Sequence, residues 1–285
     1  MSIEKNRSIL LSTSPYRESS ILATLFSLQH GRISVIAKGT RRNDRRAVPL
    51  DRGYLVEHTL YMKPNRDLHQ MTDCSIVEFY PGIRHNLEKT ALRDLIFDIL
   101  LKTLSPSDNN ESLFNLLQEY LANLDSAESR SGILLLQTAR TLHRIAELLG
   151  FYLDVSSCSI CGHRFTTGDE PWLSVKDGIL RCADCARTAH EGSYSVTAPF
   201  IFLLGHEATG VVAAEPPPAR GLALLRLLTD FCRYHFDIRQ KLTSLGFLYQ
   251  LYSTEPEPYH NVTEQVNPAP NQTLPFKETK CQTLP

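Results

Sequence analysis

The chain has 285 residues, 42% of them hydrophobic, and a formal net charge of −1. That is enough apolar material for a real core and for two or three domains, and no run of about 18 uncharged apolar residues is present to cross a membrane. The total charge argues against a polyanion partner, but its distribution does not: residues 1–80 carry 12 Lys/Arg against 8 Asp/Glu, whereas residues 87–157 carry 6 against 10.

In chain order, residues 7–80 read as strands. The runs Arg7–Thr13, Ser20–Ser27, Arg32–Lys38, Tyr54–Met62 and Gln70–Phe79 are short, rich in Ile, Leu, Val and Tyr, and separated by turn signals. His30-Gly31 marks a tight hairpin, and Pro64-Asn65 with Asp67 marks the last turn. Five short strands in this length suit a small closed barrel, with the five-stranded oligonucleotide-binding barrel as the natural candidate; an open sheet or an SH3-like barrel fits the same pattern.

From Glu88 the period becomes helical. Leu92, Leu95, Ile96, Ile99, Leu100 and Leu104 form one stripe; Leu113, Leu117, Tyr120, Leu121 and Leu124 lie in a second. A third, from Ile133 to Leu149, ends at Gly150, a C-cap signal. Ala198–Leu204, a turn at Pro216-Pro217-Pro218 and a helix from about Arg220 to Phe236 follow. From Thr254 on, polar residues and proline dominate without a period, the composition of a disordered tail. The expected organisation is α+β and multi-domain: an oligonucleotide-binding barrel over residues 1–81, an all-α helical domain over 82–253 with an insertion at about 155–190, and a tail over 254–285.

That insertion holds the sharpest motif. Cys158, Cys161, Cys182 and Cys185 form C-x-x-C, twenty intervening residues and a second C-x-x-C, the pairing a tetrahedral four-thiolate zinc site needs. Gly162 can take φ > 0 and turn backbone amides toward the thiolates. Two disulfides, a redox pair and an iron–sulfur site compete with zinc. The first ten residues, MSIEKNRSIL, lack the apolar run of a secretory leader, so the expectation is a reducing cytosol, where structural disulfides are rare. One structural Zn²⁺ per chain is therefore expected, since four thiolates leave no open position for chemistry. Cys74 and Cys232 read as buried apolar residues.

The second motif is basic. Residues 32–46 contain Arg32, Lys38, Arg41, Arg42, Arg45 and Arg46 against Asp44 alone. An arginine-rich loop beyond a barrel strand suits phosphates, because guanidinium forks pair with their oxygens and released counterions drive association. Tyr16, Phe26, Tyr54 and Tyr61 are aromatic candidates for stacking on bases, with core packing as the competing role for each. The four-cysteine segment itself is charge-balanced. No phosphate-binding loop, dinucleotide fingerprint or nucleophile elbow occurs. His206-Glu207 has Gly210 where a second zinc-protease histidine is needed, and Asp94 with Asp98 reads as a solvated pair. No enzyme is expected.

Tyr16-Arg17-Glu18-Ser19-Ser20, Phe26, His30-Gly31-Arg32 and Ala37-Lys38-Gly39-Thr40-Arg41-Arg42 resemble the opening signature of the bacterial DNA repair protein RecO family, the recombination mediators. Glu147-Leu148-Leu149-Gly150 leading into the cysteine segment is similar to that family's central part, and Thr243-Ser244 with Phe247 to its closing element, with Thr243 where that element has lysine. The resemblance covers about residues 5–252. It implies a cytoplasmic, nucleoid-associated bacterial protein of the RecF pathway that binds single- and double-stranded DNA and anneals complementary strands. It also implies partnership with RecR and with the C-terminal tail of single-stranded DNA-binding protein, so that RecA can load. An acidic tail of that kind needs an apolar groove with a basic rim, for which Arg140 and Arg144 beside the third stripe are the candidates. The alternative reading is a zinc-ribbon transcription or translation factor.

Overall fold

A computed structural model describes residues 2–38, 50–62, 66–106, 108–166, 169, 171–188, 193–195 and 217–252. Arg41, Arg42, Arg45, Arg46, His206, the turn at Pro64-Asn65, the run 198–204 and the tail from 253 lie outside these residues.

The N-terminal part is a five-stranded closed barrel. β1 (Ser2–Tyr16), β2 (Ser20–Ser27), β3 (Gly31–Ala37), β4 (Leu55–Met62) and β5 (Leu68–Glu78) are hydrogen-bonded in the order β1-β2-β3-β5-β4. β1 closes the barrel because its first half pairs with β4 (Ser2↔Met62 to Ile9↔Leu55) and its second half with β2 (Ser8↔Ser27 to Tyr16↔Ser20). The register slips between Leu10 and Ser12, a bulge that lets one strand bend from one partner to the next. β3 and β5 pair in parallel, and every other pair is antiparallel. These are the strand number and closure of an oligonucleotide-binding barrel.

Alternation explains the interior. Leu10, Leu25, Ile33, Val35, Val56 and Leu60 fill it, one residue in two along each strand. At one end the filling turns polar: Asn6, Ser8, Ser27 and His58 are buried, joined in pairs by Ser27 Oγ donating to Asn6 Oδ1 at 3.2 Å and by His58 Nε2 with Ser8 Oγ at 2.8 Å. The hairpin predicted at His30-Gly31 is present, with Gly31 at φ 61°. A Cβ there would stand 2.0 Å from the Asp108 carbonyl oxygen, so only glycine fits.

On the outside, Ile9, Leu11, Phe26 and Leu55 leave the barrel for a second core shared with the helices. Phe26 and Phe114 meet at 5.9 Å between centroids. α1 (Pro81–Arg84) leads into α2 (Leu87–Thr103), α3 (Glu111–Ser126) and α4 (Ser131–Leu148). Asn86 and Asn110 cap α2 and α3, each side-chain oxygen accepting from the amide three residues on, at 3.0 and 2.9 Å. Gly150, at φ 92°, follows the end of α4 where the sequence signalled a stop.

α2 departs from the single stripe read in the sequence. It is buried on several faces, with Lys89, Ala91, Leu92, Leu95, Ile96, Phe97, Ile99 and Leu100 all inside. Asp94 and Asp98 are not merely solvated. Arg52, from the segment before β4, reaches them at 3.4 and 2.9 Å and lies over the Phe97 ring at 5.5 Å. This pins the barrel to α2.

After α4 comes a small sheet of β6 (Trp172–Ser174), β7 (Ile179–Arg181) and β8 (Ser193–Ser195) in the order β7-β6-β8, with the short helix α5 (Ala183–Arg187) after β7. α6 (Pro218–His235) packs on α4, and α7 (Thr243–Leu251) returns to α2. The small sheet rests on α6, where His235 Nε2 meets the Val175 carbonyl at 2.9 Å. Among the described residues no helix is long and apolar enough to cross a membrane.

Candidate nucleic-acid interface and metal centre

The register assigns the outward residues of β3: Arg32, Ser34 and Ile36 alternate with the buried Ile33, Val35 and Ala37. Exposed Lys38 follows at the end of the strand. Leu22 of β2 stands beside Ile36, and on the other flank Leu68 stands beside Ser34 and Gln70 beside Ile36. Leu68 is 43% exposed, and Leu22 and Ile36 are half-buried. The outer face of β2, β3 and the start of β5 is thus a strip in which Leu22, Ile36 and Leu68 alternate with Thr24, Ser34 and Gln70, with a cation at each end, about 20 Å apart at the usual rise per strand residue. Arg32 is half-buried, and its Nε has no hydrogen-bond partner among the described residues. Cations flanking a partly apolar strip suit a chain of phosphates carrying flat bases. Arg32 and Lys38 therefore share one face, and the other four candidate arginines follow Lys38 in the sequence, outside the described residues.

Leu22, Ile36, Leu68 and Gln70 were missed in the sequence because only the pairing register puts them on that face. The period-2 alternation of β3 was the available signal. Of the stacking candidates, Phe26 and Tyr54 are buried and Tyr61 is half-buried, whereas Tyr16 is 37% exposed. A cleft of about 270 Å³ lies on the other side, over β1, β4 and β5. Its walls mix Lys5 and Arg7 with Glu57 and Asp73, and that balance gives a polyanion no net attraction.

Arg140 and Arg144 both lie on α4. Arg140 is partly buried, which draws its guanidinium below its ordinary pKa, and Arg144 is engaged with Glu147 at 2.6 Å.

The four cysteines come together. Cys158 leads a knuckle, Cys182 follows β7 at the N-cap position of α5, and Cys185 sits on that helix. Their sulfurs all lie within 4.8 Å of one another, and Cys161 Sγ is 3.8 Å from Cys182 Sγ. That separation is far too long for a disulfide. It equals the edge of a tetrahedron of sulfurs about 2.3 Å from a central zinc, about 3.8 Å. Gly162 takes φ 72° as the sequence predicted, and its amide donates to the Cys158 carbonyl at 2.9 Å.

Burial works against charge on Cys158, but amides of Cys161, Cys182 and Ile160 outweigh it and hold the thiol down at about 6. Cys182 and Cys185 are pushed up, by burial first; the Cys161 thiol and the Cys158 charge add to this in both, while the Cys185 amide and thiol partly offset it at Cys182. One thiolate therefore forms readily and opposes the next, and a cation at the centre removes that opposition. The donor set fits a soft or borderline metal ion held by Cys158, Cys161, Cys182 and Cys185.

The profile described as "Recombination protein O N terminal" matches residues 1–80, and "Recombination protein O C terminal" matches residues 84–244. The chain belongs to the recombination protein O family. Among its relatives is the DNA repair protein RecO of Geobacter metallireducens, 28% identical over 251 residues that cover 88% of this chain and 99% of that protein. The DNA repair protein RecO of Chlorobium limicola is 26% identical over 262 residues, with 88% and 99% covered. That of Salinibacter ruber is 25% identical, with 90% and 96% covered. In this member of the family, a closed barrel with a basic-edged face precedes a helical region that carries a four-cysteine centre.

Proposed function

We propose that this protein is a DNA-binding recombination mediator of the RecF-pathway type. It holds single- and double-stranded DNA on the β2–β3 face of the barrel domain, residues 1–81, and it anneals complementary strands. The observation that carries the reading is the shared outward face of Arg32, Ile36, Leu68 and Lys38. Arg41, Arg42, Arg45 and Arg46, which follow Lys38 in the sequence, are assigned to the same DNA contact. Neutralising phosphates on two strands lowers their mutual repulsion, and base pairing then supplies the specificity. No chemical step on the DNA is assigned to the protein.

The helical domain, residues 82–253, serves partners in this reading. Arg140 and Arg144 receive the acidic C-terminal tail of single-stranded DNA-binding protein, RecR joins the complex, and RecA loads on the cleared strand in the bacterial nucleoid. The metal at the four cysteines is one structural zinc ion. When bound it fixes the knuckle and α5 on β7, and it takes no part in catalysis.

If about 4 phosphates are contacted through the loop, the log–log salt slope for single-stranded DNA is about −3. Replacing Arg41, Arg42, Arg45 and Arg46 by alanine is expected to flatten it. A slope unchanged by the four substitutions would remove the loop from the interface. The alternative, a zinc-ribbon transcription or translation factor, predicts a firm sequence preference; unrelated competitor DNA should displace the probe equally well under the mediator reading.

A further inference from the structure

We infer that Tyr16, with Arg17 against it, is a stacking platform for an unpaired base of a DNA single strand bound on the barrel face. The inference rests on the reading above and assigns a residue to it.

Tyr16 is the last residue of β1 and pairs with Ser20, the first of β2. Two residues back along β1, Ser14 pairs with Leu22, and Leu22 pairs in turn with Ile36. Side chains two apart in a strand share a face, so Tyr16 projects from the same outer surface as Leu22 and Ile36. It stands at the tip of the β1–β2 hairpin, where barrels of this type present one of their oligonucleotide-binding loops.

Tyr16 is 37% exposed and belongs to neither apolar core. Core packing therefore does not account for it, as it does for Phe26 and Tyr54. Arg17 is in the left-handed region at φ 54°, a backbone state that a residue with a Cβ adopts at a cost. That turn brings its guanidinium carbon to 5.3 Å from the Tyr16 ring centroid. The pair thus places a planar cation over an aromatic ring at the surface. Every base offers a π-face, so stacking there is sequence-tolerant, and the guanidinium matches the phosphate of the same nucleotide. A duplex keeps its bases stacked on one another, so the platform favours single strands.

The test compares the full-length protein with its Tyr16→Ala and Tyr16→Phe variants, using labelled oligothymidylate and the same strand with abasic positions. Tyr16→Ala is expected to lose about ten-fold in affinity for the base-bearing strand, to bind the abasic strand as before, and to keep the salt slope. Tyr16→Phe is expected to bind both strands like the unaltered protein, which also shows that the hairpin tolerates substitution. Equal losses on the two strands, or no loss on either, would overturn the platform while leaving the barrel-face reading standing. Failure of the unaltered protein to bind either strand would overturn both.

Discussion

His58 is a charged-state liability built into the barrel. It is 3% exposed among Asn6, Ser8 and Ser27, and burial first, then the neighbouring His30, lower its pKa from 6.5 to about 4. His69 is lowered too, again by burial first, while Asp67 pulls it the other way. His30 is paired with a carboxylate, Glu4 at 2.8 Å. The folded state thus keeps His58 neutral where the unfolded chain protonates it. Stability linked to this group is complete above about pH 6.5 and is lost as pH falls toward about 4. Between pH 7.5 and 5 the loss is on the order of 2 kcal/mol. An NMR titration should place the His58 midpoint near pH 4, with the urea midpoint falling over the same acid range; a His58 midpoint near 6.5 would contradict its burial. None of this was legible in the sequence. A lone His in an alternating strand points inward or outward by register, and its neighbours Ser8 and His30 come from β1 and from the β2–β3 turn. Arg52 is a similar case, since its partners Asp94 and Asp98 lie more than forty positions away, and two carboxylates on one helix face say nothing of a cation from another element.

At the scale of elements, the strands and the cysteine knuckle were the readable parts. Strong alternation marked β2, β3 and β4 within a residue or so of their bounds, because a closed barrel buries one face throughout. β1 ran longer than its apolar stretch at both ends, since Lys5, Asn6 and Ser14 pair through backbone groups that composition does not register. α2 read as one stripe because periodicity reports the strongest face, whereas its other faces meet the barrel and α7. The four-cysteine centre was legible because ligand spacing is local and metal geometry strict. Trp172, 8% exposed at the start of β6, pairs across the sheet with Arg181, the residue before Cys182, and reports on that centre. Freshly purified, reduced protein is expected to carry one zinc per chain. A strong chelator should shift the tryptophan emission to the red as β6 and β7 loosen. Well under one zinc per chain, or an emission unmoved by the chelator, would contradict a structural metal.

For the whole molecule, charge is arranged more tellingly than its total. The barrel half is net positive and the following helices net negative, so a polyanion is drawn to the barrel and turned away from the helical surface. The two halves are nonetheless joined, with Phe26 on Phe114 and Arg52 on α2 fixing the barrel to the helices. Under the proposed function, DNA held on β3 would be presented in a fixed relation to whatever the helices bind, which is the arrangement a mediator needs. The most direct measurement follows fluorescence anisotropy of a labelled single strand across a salt series, with a complementary strand added at the end. Sequence-tolerant binding that weakens with a log–log slope of about −3, followed by annealing faster than the free strands achieve, is the predicted result. No binding even at low salt would contradict the assignment of DNA to the barrel.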